Sequence, residues 1–216
     1  MNKLTVLVFV IFLAGCSNRF LMPADQDSDV PDVHIARIDA FRDADSYDKA
    51  LELWRTPEDV NAWIGARFTY DMNRAIRLSE NQRSGGDSLP IYHPQEFFVS
   101  PSGVCVDLSR FAVETLRRIA PDHKPGYLMI EFSPVSIAGN ILRLHWLAFF
   151  RREGNYYFFA DSKRPGYIAG PYKNTEDFIR DYAIYRGRQI LFFHELESYQ
   201  RKQRTQATKQ SRSKTP

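Results

Sequence analysis

Apolar residues first gather at positions 4–13, a run interrupted by Thr5 alone, with Lys3 before it and no helical or strand periodicity. Beyond a polar stretch, Ala50, Leu51 and Trp54 fall on one side of a short helix predicted from Ser46. Thr56-Pro-Glu-Asp59 opens a second helix, with an N-cap, a proline at the first helical position and acids in the first turn. Val60, Trp63, Ile64 and Phe68 form its apolar stripe, a core face that Met72, Ala75 and Ile76 extend. Residues 84–90 are a Gly/Ser/Pro break, and His93-Pro-Gln-Glu-Phe-Phe-Val leads into the next helix. There Pro101 and Gly103 read as turn residues and Ser102 as the N-cap. Leu108, Phe111, Ala112, Thr115, Leu116 and Ile119 then recur at helical spacing until Ala120-Pro121. Residues 127–132, 141–150 and 156–160 are extended runs bounded by Pro, Gly or Asn. Thr175-Glu-Asp starts a further helix through Phe178, Ile179 and Tyr182, and 189–196 reads as a last strand. Consecutive strands with short connections make an antiparallel meander, so the expected fold class is α+β, with the helix at Cys105 packed on an antiparallel sheet.

Length and composition add the boundaries. At 216 residues and 44% hydrophobic, the chain can fill one domain, placed at 33–198. A net charge of +3 suggests no nucleic-acid partner. The run at 4–13 is too short to span a bilayer but suits a signal-peptide core. It ends in Leu13-Ala-Gly-Cys16, which closely resembles the lipobox of bacterial lipoproteins. That resemblance implies removal of residues 1–15, a lipid on Cys16 and attachment to a membrane. With Ser17 where the inner-membrane retention signal has Asp, it implies the outer membrane, facing the periplasm. Residues 16–32, with Asp25, Asp27 and Asp29, read as a polar tether, and 199–216 as a basic, disordered tail.

With Cys16 acylated, Cys105 is the one cysteine left, and a lone thiol in an exported compartment is a liability unless it is buried or has a task. At a helix start it sits beside unpaired N–H groups and the positive end of the dipole, and both favour thiolate. Two partners follow from the hairpin. A three-residue loop, Arg152-Glu-Gly154, makes Arg151 and Asn155 the closing pair and sets His145 opposite Asp161 on one side of the sheet. An imidazole steadied by a carboxylate, with a thiol packed against it, is a nucleophile, a base and an orienter. His34 lies near the tether, His93 and His123 are flanked by turn residues, and His194 has no carboxylate partner except its neighbour Glu195. No Cys/His/Asp grouping has metal-ligand spacing, so neither a metal nor any other cofactor is expected.

These residues also resemble a family. Gly103-Val-Cys105-Val-Asp-Leu-Ser, Leu144-His145-Trp and Phe159-Ala-Asp161-Ser, in that order, resemble the transglutaminase-like superfamily of cysteine acyl-transfer enzymes. The stretch Trp63-Ile-Gly-Ala-Arg-Phe-Thr-Tyr70 looks like its segment upstream of the nucleophile. The resemblance spans about 57–172. It implies a papain-like fold and a Cys105–His145–Asp161 triad acting on peptide, isopeptide or amide bonds of a cell-envelope substrate. Leu108-Ser109-Arg110 departs from the small residues usual there. For the oxyanion, the Cys105 N–H is the default donor, with Tyr70 or Gln95 as the side-chain candidates. Two competing readings are a catalytically silent binding module of the envelope on the same fold, and a cell-wall amidopeptidase of the papain-like clan. The latter typically has an acid where this chain has Val104.

Overall fold

The computed structural model describes residues 29–32, 42–80 and 89–200. The signal segment, Cys16, His34 and the basic residues from Arg201 onward lie outside them. Among the described residues no helix is long and apolar enough to cross a membrane.

Helix α1 (Tyr47–Leu53) is capped by the Ser46 side chain. Helix α2 (Pro57–Arg67) begins as its sequence indicates: the Thr56 hydroxyl accepts from the Asp59 N–H, and the Asp59 carboxylate accepts from the Thr56 N–H. The helical stripe does not run on through Met72. It stops at Phe68, and Thr69–Tyr70 forms a short strand, β1, before Asp71 caps a separate helix, α3 (Met72–Arg77). His93-Pro-Gln-Glu is likewise its own helix, α4 (Pro94–Val99), because Glu96 bonds back to the His93 N–H. Strand β2 (Ser102–Gly103) pairs in parallel with β1 and delivers the chain into α5 (Cys105–Ile119).

After a 3₁₀ turn (Pro121–His123) come β3 (Gly126–Ile137), β4 (Asn140–Arg152), β5 (Asn155–Phe159), β6 (Ala169–Tyr172), α6 (Thr175–Arg186) and β7 (Ile190–Leu196). The sheet has the order β6-β5-β4-β3-β7 and every pairing in it is antiparallel, which bears out the α+β class. β6 escaped the pattern because Ala169-Gly-Pro-Tyr172 carries two residues disfavoured in strands.

The sheet has a core on each face, which is why β3 reads as a solid apolar run rather than an alternation. On one face Tyr127, Met129, Trp146, Ala148 and Phe150 pack with α5, α4, α2 and α1 around Trp54, Trp63, Phe97, Phe98 and Phe111. Trp63 stacks on Phe98 at 5.0 Å and lies 4.7 Å from Phe111, so the expected aromatic core of α2 is present. On the other face Leu128, Ile130, Leu147, Phe149 and Phe158 pack under Phe178, Ile179 and Tyr182 of α6.

The β4–β5 hairpin corrects the expected loop. The closing pair is Arg152 with Asn155, so the turn is the two residues Glu153 and Gly154. Both have positive φ, 52° and 75°, the primed-turn geometry whose twist suits a two-residue hairpin. The register therefore slips by one residue from the expected one, and continued in register β5 would put Asp161 on the face away from His145.

Candidate active site

Cys105 is the first residue of α5, and what fixes its backbone is two residues further on. The N-cap is Val104, not Ser102, and valine has no acceptor to offer the helix. Asp107 supplies it by reaching back: Oδ2 accepts from the Val104 N–H at 3.1 Å, and Oδ1 accepts from the Tyr92 N–H at 3.0 Å. The Arg74 guanidinium closes on the same carboxylate in a fork, Nε to Oδ2 and Nη2 to Oδ1, both 2.7 Å. Asp107 is wholly buried and Arg74 nearly so. Gly103 serves space rather than a turn conformation: a Cβ there would lie 3.0 Å from Asp107 Oδ2 and 3.0 Å from the Phe97 ring, so both would have to give by a few tenths of an ångström.

His145 shares its side of β4 with Leu147 and Phe149, on the α6 face, whereas Cys105 belongs to the α5 core. They meet because β4 outruns its neighbour. Ala148–Phe159 is the last β4–β5 pair, so at His145 the strand has β3 on one side and no β5 on the other. Past Phe159, Ala160 takes a left-handed φ of 55°, leaving the ladder and swinging Asp161 back to the imidazole. The sequence thus indicated the right pair by a wrong route. The contact that ladder arithmetic assigned to strand opposition comes from a backbone kink after the strand ends.

His145 Nε2 lies 3.1 Å from Asp161 Oδ1 and 3.0 Å from the Tyr182 hydroxyl. With an ionised carboxylate facing it, this nitrogen carries the hydrogen. Tyr182 donates to Asp161 Oδ2 at 3.0 Å and accepts from Arg186 Nη1 at 3.1 Å. Asp161 also accepts from the Lys163 N–H and from Arg164 Nε. Tyr182 stacks on the imidazole, with ring centroids 6.0 Å apart and planes at 20°. His145 and Asp161 are buried at 1% and 2% exposure.

A ring nitrogen of His145, the Cys105 sulfur and a carboxylate oxygen of Asp29 all lie within 4.8 Å of one another. The first two are the expected nucleophile and base. Asp29 was expected only as part of a tether. Its Oδ1 lies 3.1 Å from His145 Nδ1 and accepts from Arg186 Nη2 at 2.8 Å. The contact with Nδ1 is an ion pair without hydrogen-bond alignment. Of the two side-chain candidates for the oxyanion, Tyr70 is the one brought near. Burial, then the electrostatic influence of nearby Asp29 and Cys105, raise its phenol well above the ordinary value and keep it a donor. Gln95 is exposed on α4. His93 bonds Arg110, His123 contacts the Arg151 carbonyl, and His194 is exposed on β7, so none of these three takes part. Tyr182, Arg186 and Arg164 were missed. Tyr182 and Arg186 fall one helical turn apart, a spacing that marks a shared face but not what the face meets.

Asp29, Cys105 and His145 also make a donor grouping of the kind that ligates a metal, which sequence spacing did not suggest because Asp29 is remote in the chain. The residues present do not suit one. The Asp29 oxygen nearest the imidazole is already held by the buried Arg186 cation, which would face any ion bound there.

Charge in this cluster is tightly coupled. Burial alone would lower the His145 value, but Asp29, Tyr182 and Asp161 outweigh it and hold the imidazolium well above 6.5. Burial alone would raise Asp161, but its bond and charge pairing with His145 and the nearby Arg164 and Arg186 hold it well below the ordinary carboxylate range. Linkage fixes the expected pH dependence. The stability from His145 is present in full below its unfolded value, about 6.5, and is lost as pH rises through the raised folded value. The carboxylate contribution is present above about 3.8 and lost as pH falls through the lowered folded values of Asp29 and Asp161. Urea unfolding from pH 5 upward should show an alkaline decline in the wild type that His145→Gln lacks. Parallel curves would contradict it.

No protein-family model matches the chain, and no curated protein matches it closely. Among solved structures it is similar to calcium-bound LapG of Legionella pneumophila, with 13% identity and a TM-score of 0.41 over 77% of this chain and 87% of that one. Likeness of that degree carries no chemistry from one site to the other, and the geometry above stands by itself.

Proposed function

We propose that the protein is a lipid-anchored cysteine enzyme of acyl transfer. On this reading it is a transglutaminase-like cysteine protease or amidase of the bacterial cell envelope, attached through Cys16 at the outer membrane and acting on a peptide or protein substrate. The observation that carries the reading is the approach of the Cys105 sulfur, at a helix N-terminus, to an imidazole whose other nitrogen is held by a buried carboxylate.

The residues divide the work as follows. The Cys105 sulfur, its proton passed to His145, attacks the substrate carbonyl and forms the C–S bond. The oxyanion is met by the Cys105 N–H and the Tyr70 phenol. Collapse breaks the C–N bond, and the amine leaves with the proton held on His145. His145 then takes a proton from water, whose oxygen attacks the thioester and releases the acid, returning the proton to sulfur. Asp161 keeps the ring oriented and stabilises its charged form. Hydrolysis is favoured over amine transfer because water greatly outnumbers amines.

The test is alkylation of Cys105 by iodoacetamide at pH 7, followed by intact mass. His145→Ala should slow it by about tenfold or more, because sulfur loses its proton acceptor. An unchanged rate would overturn the assignment of His145 as base.

A further inference from the structure

The thiol is 7% exposed, and a carboxylate oxygen of Asp29, from a piece of this chain that the catalytic reading does not use, lies within 4.8 Å of its sulfur. Residues 29–32 lie across the site, held by both of their carboxylates. Asp29 sits between Arg186 and His145. Asp32 accepts from the Lys163 ammonium at 2.9 Å and from the Tyr185 hydroxyl at 2.5 Å, and its backbone N–H donates to the Lys163 carbonyl at 2.9 Å. The cations that receive these acids belong to the folded domain and are themselves buried, Arg186 at 1% and Lys163 at 5% exposure. A desolvated guanidinium and ammonium set to meet two carboxylates three residues apart make a site for an acidic peptide. The backbone bond from Asp32 to Lys163 adds a main-chain register that a free carboxylate ion lacks.

The position of Asp29 gives that binding a consequence. Asp161 and Tyr182 hold Nε2, so Nδ1 is the ring nitrogen left to exchange a proton with sulfur. In this arrangement the imidazolium is paired with the Asp29 carboxylate instead. The pair is close but not aligned for a hydrogen bond.

We propose that Asp29–Asp32 is a resident blocking segment, and that the groove it fills is a two-carboxylate subsite whose exchangeable ligands are acidic peptide chains. This rests on the acyl-transfer reading of Cys105. Peptide chains that carry acids three residues apart compete for the same cations, and Nδ1 is free for sulfur only while neither they nor the segment occupy the groove.

The experiment is the Cys105 alkylation rate in the full chain. Asp29→Asn with Asp32→Asn should raise it by about tenfold or more, since the rate follows the fraction of molecules in which the segment is out. A capped Asp-Val-Pro-Asp peptide added to that variant should slow it again, whereas Asn-Val-Pro-Asn should not. Asp32→Asn alone leaves the Arg186–Asp29 pair intact and serves if the double variant does not fold; it should be alkylated faster, and protected by the acidic peptide. Wild-type rates in the variants, or equal protection by both peptides, would overturn the proposal. Adding His145→Ala separates the two readings. If it slows alkylation while the peptides do nothing, the blocking segment is wrong and the catalytic pair stands; if it has no effect, the catalytic pair itself is wrong.

Discussion

Asp107→Ala should cost the fold about 3–5 kcal/mol, the loss expected when one partner of a buried ion pair is removed and the other stays. Arg74 would be left a desolvated cation with two of its fork bonds gone, and the N–H groups of Val104 and Tyr92 would lose their acceptor. Typical domains have only about 5–15 kcal/mol in all, so the urea midpoint should fall steeply and the purified protein should be marginal. Asp107→Asn keeps acceptors for part of this set and should lose distinctly less. The effect reaches function through position: the carboxylate that ties Val104 is what sets where Cys105 enters the helix, so any protein that does fold should also show slower alkylation. A variant as stable as the wild type would mean that the start of α5 is held by something else.

The second large effect is on chemistry. Asp161→Asn removes one of the two carboxylate charges that face the buried His145 imidazolium, the one that holds Nε2, while leaving an oxygen for the Lys163 N–H. Acyl transfer to Cys105, followed as turnover of p-nitrophenyl acetate, should drop by about 10²–10⁴-fold, the range general acid–base catalysis contributes. With the remaining oxygen at Oδ1, the amide NH2 stands at Oδ2, where the Tyr182 hydroxyl must turn from donor to acceptor and Arg164 Nε loses its acceptor, while the stacking of Tyr182 on His145 remains. A drop of less than about twofold would show that the carboxylate neither orients nor charges the base.

The elements were legible where a local signal coincided with burial. Thr56-Pro-Glu-Asp59 carries its own capping box, and the stripe of α5 from Leu108 to Leu116 is buried as its spacing implies. Boundaries failed where a backbone bond decided them. The break at Phe68 exists because Thr69 and Tyr70 pair with Ser102 and Gly103, partners more than thirty residues away. Cys105, His145 and Asp161 could be singled out because each residue type is unusual in its setting. The contact between the last two depended on Ala160, a residue with no sequence signal for positive φ. Asp107 could have been found, since an acid three residues after the N-cap is half of a capping box, but the expected cap at Ser102 hid that spacing. Asp29 and Arg186 could not: their meeting is a tertiary contact between segments more than 150 residues apart. Tyr199, read as the start of the tail, packs against Tyr127 and Arg110, so the domain's surface extends at least that far.

The most direct measurement is the intact mass of the protein during turnover of p-nitrophenyl acetate. A Cys105 nucleophile served by His145 predicts one acetyl group on Cys105, sensitive to hydroxylamine, that builds up when His145→Ala removes the base for hydrolysis and is absent in Cys105→Ser. Ester hydrolysis that continues undiminished in Cys105→Ala, with no acyl group on the wild-type protein, would contradict it.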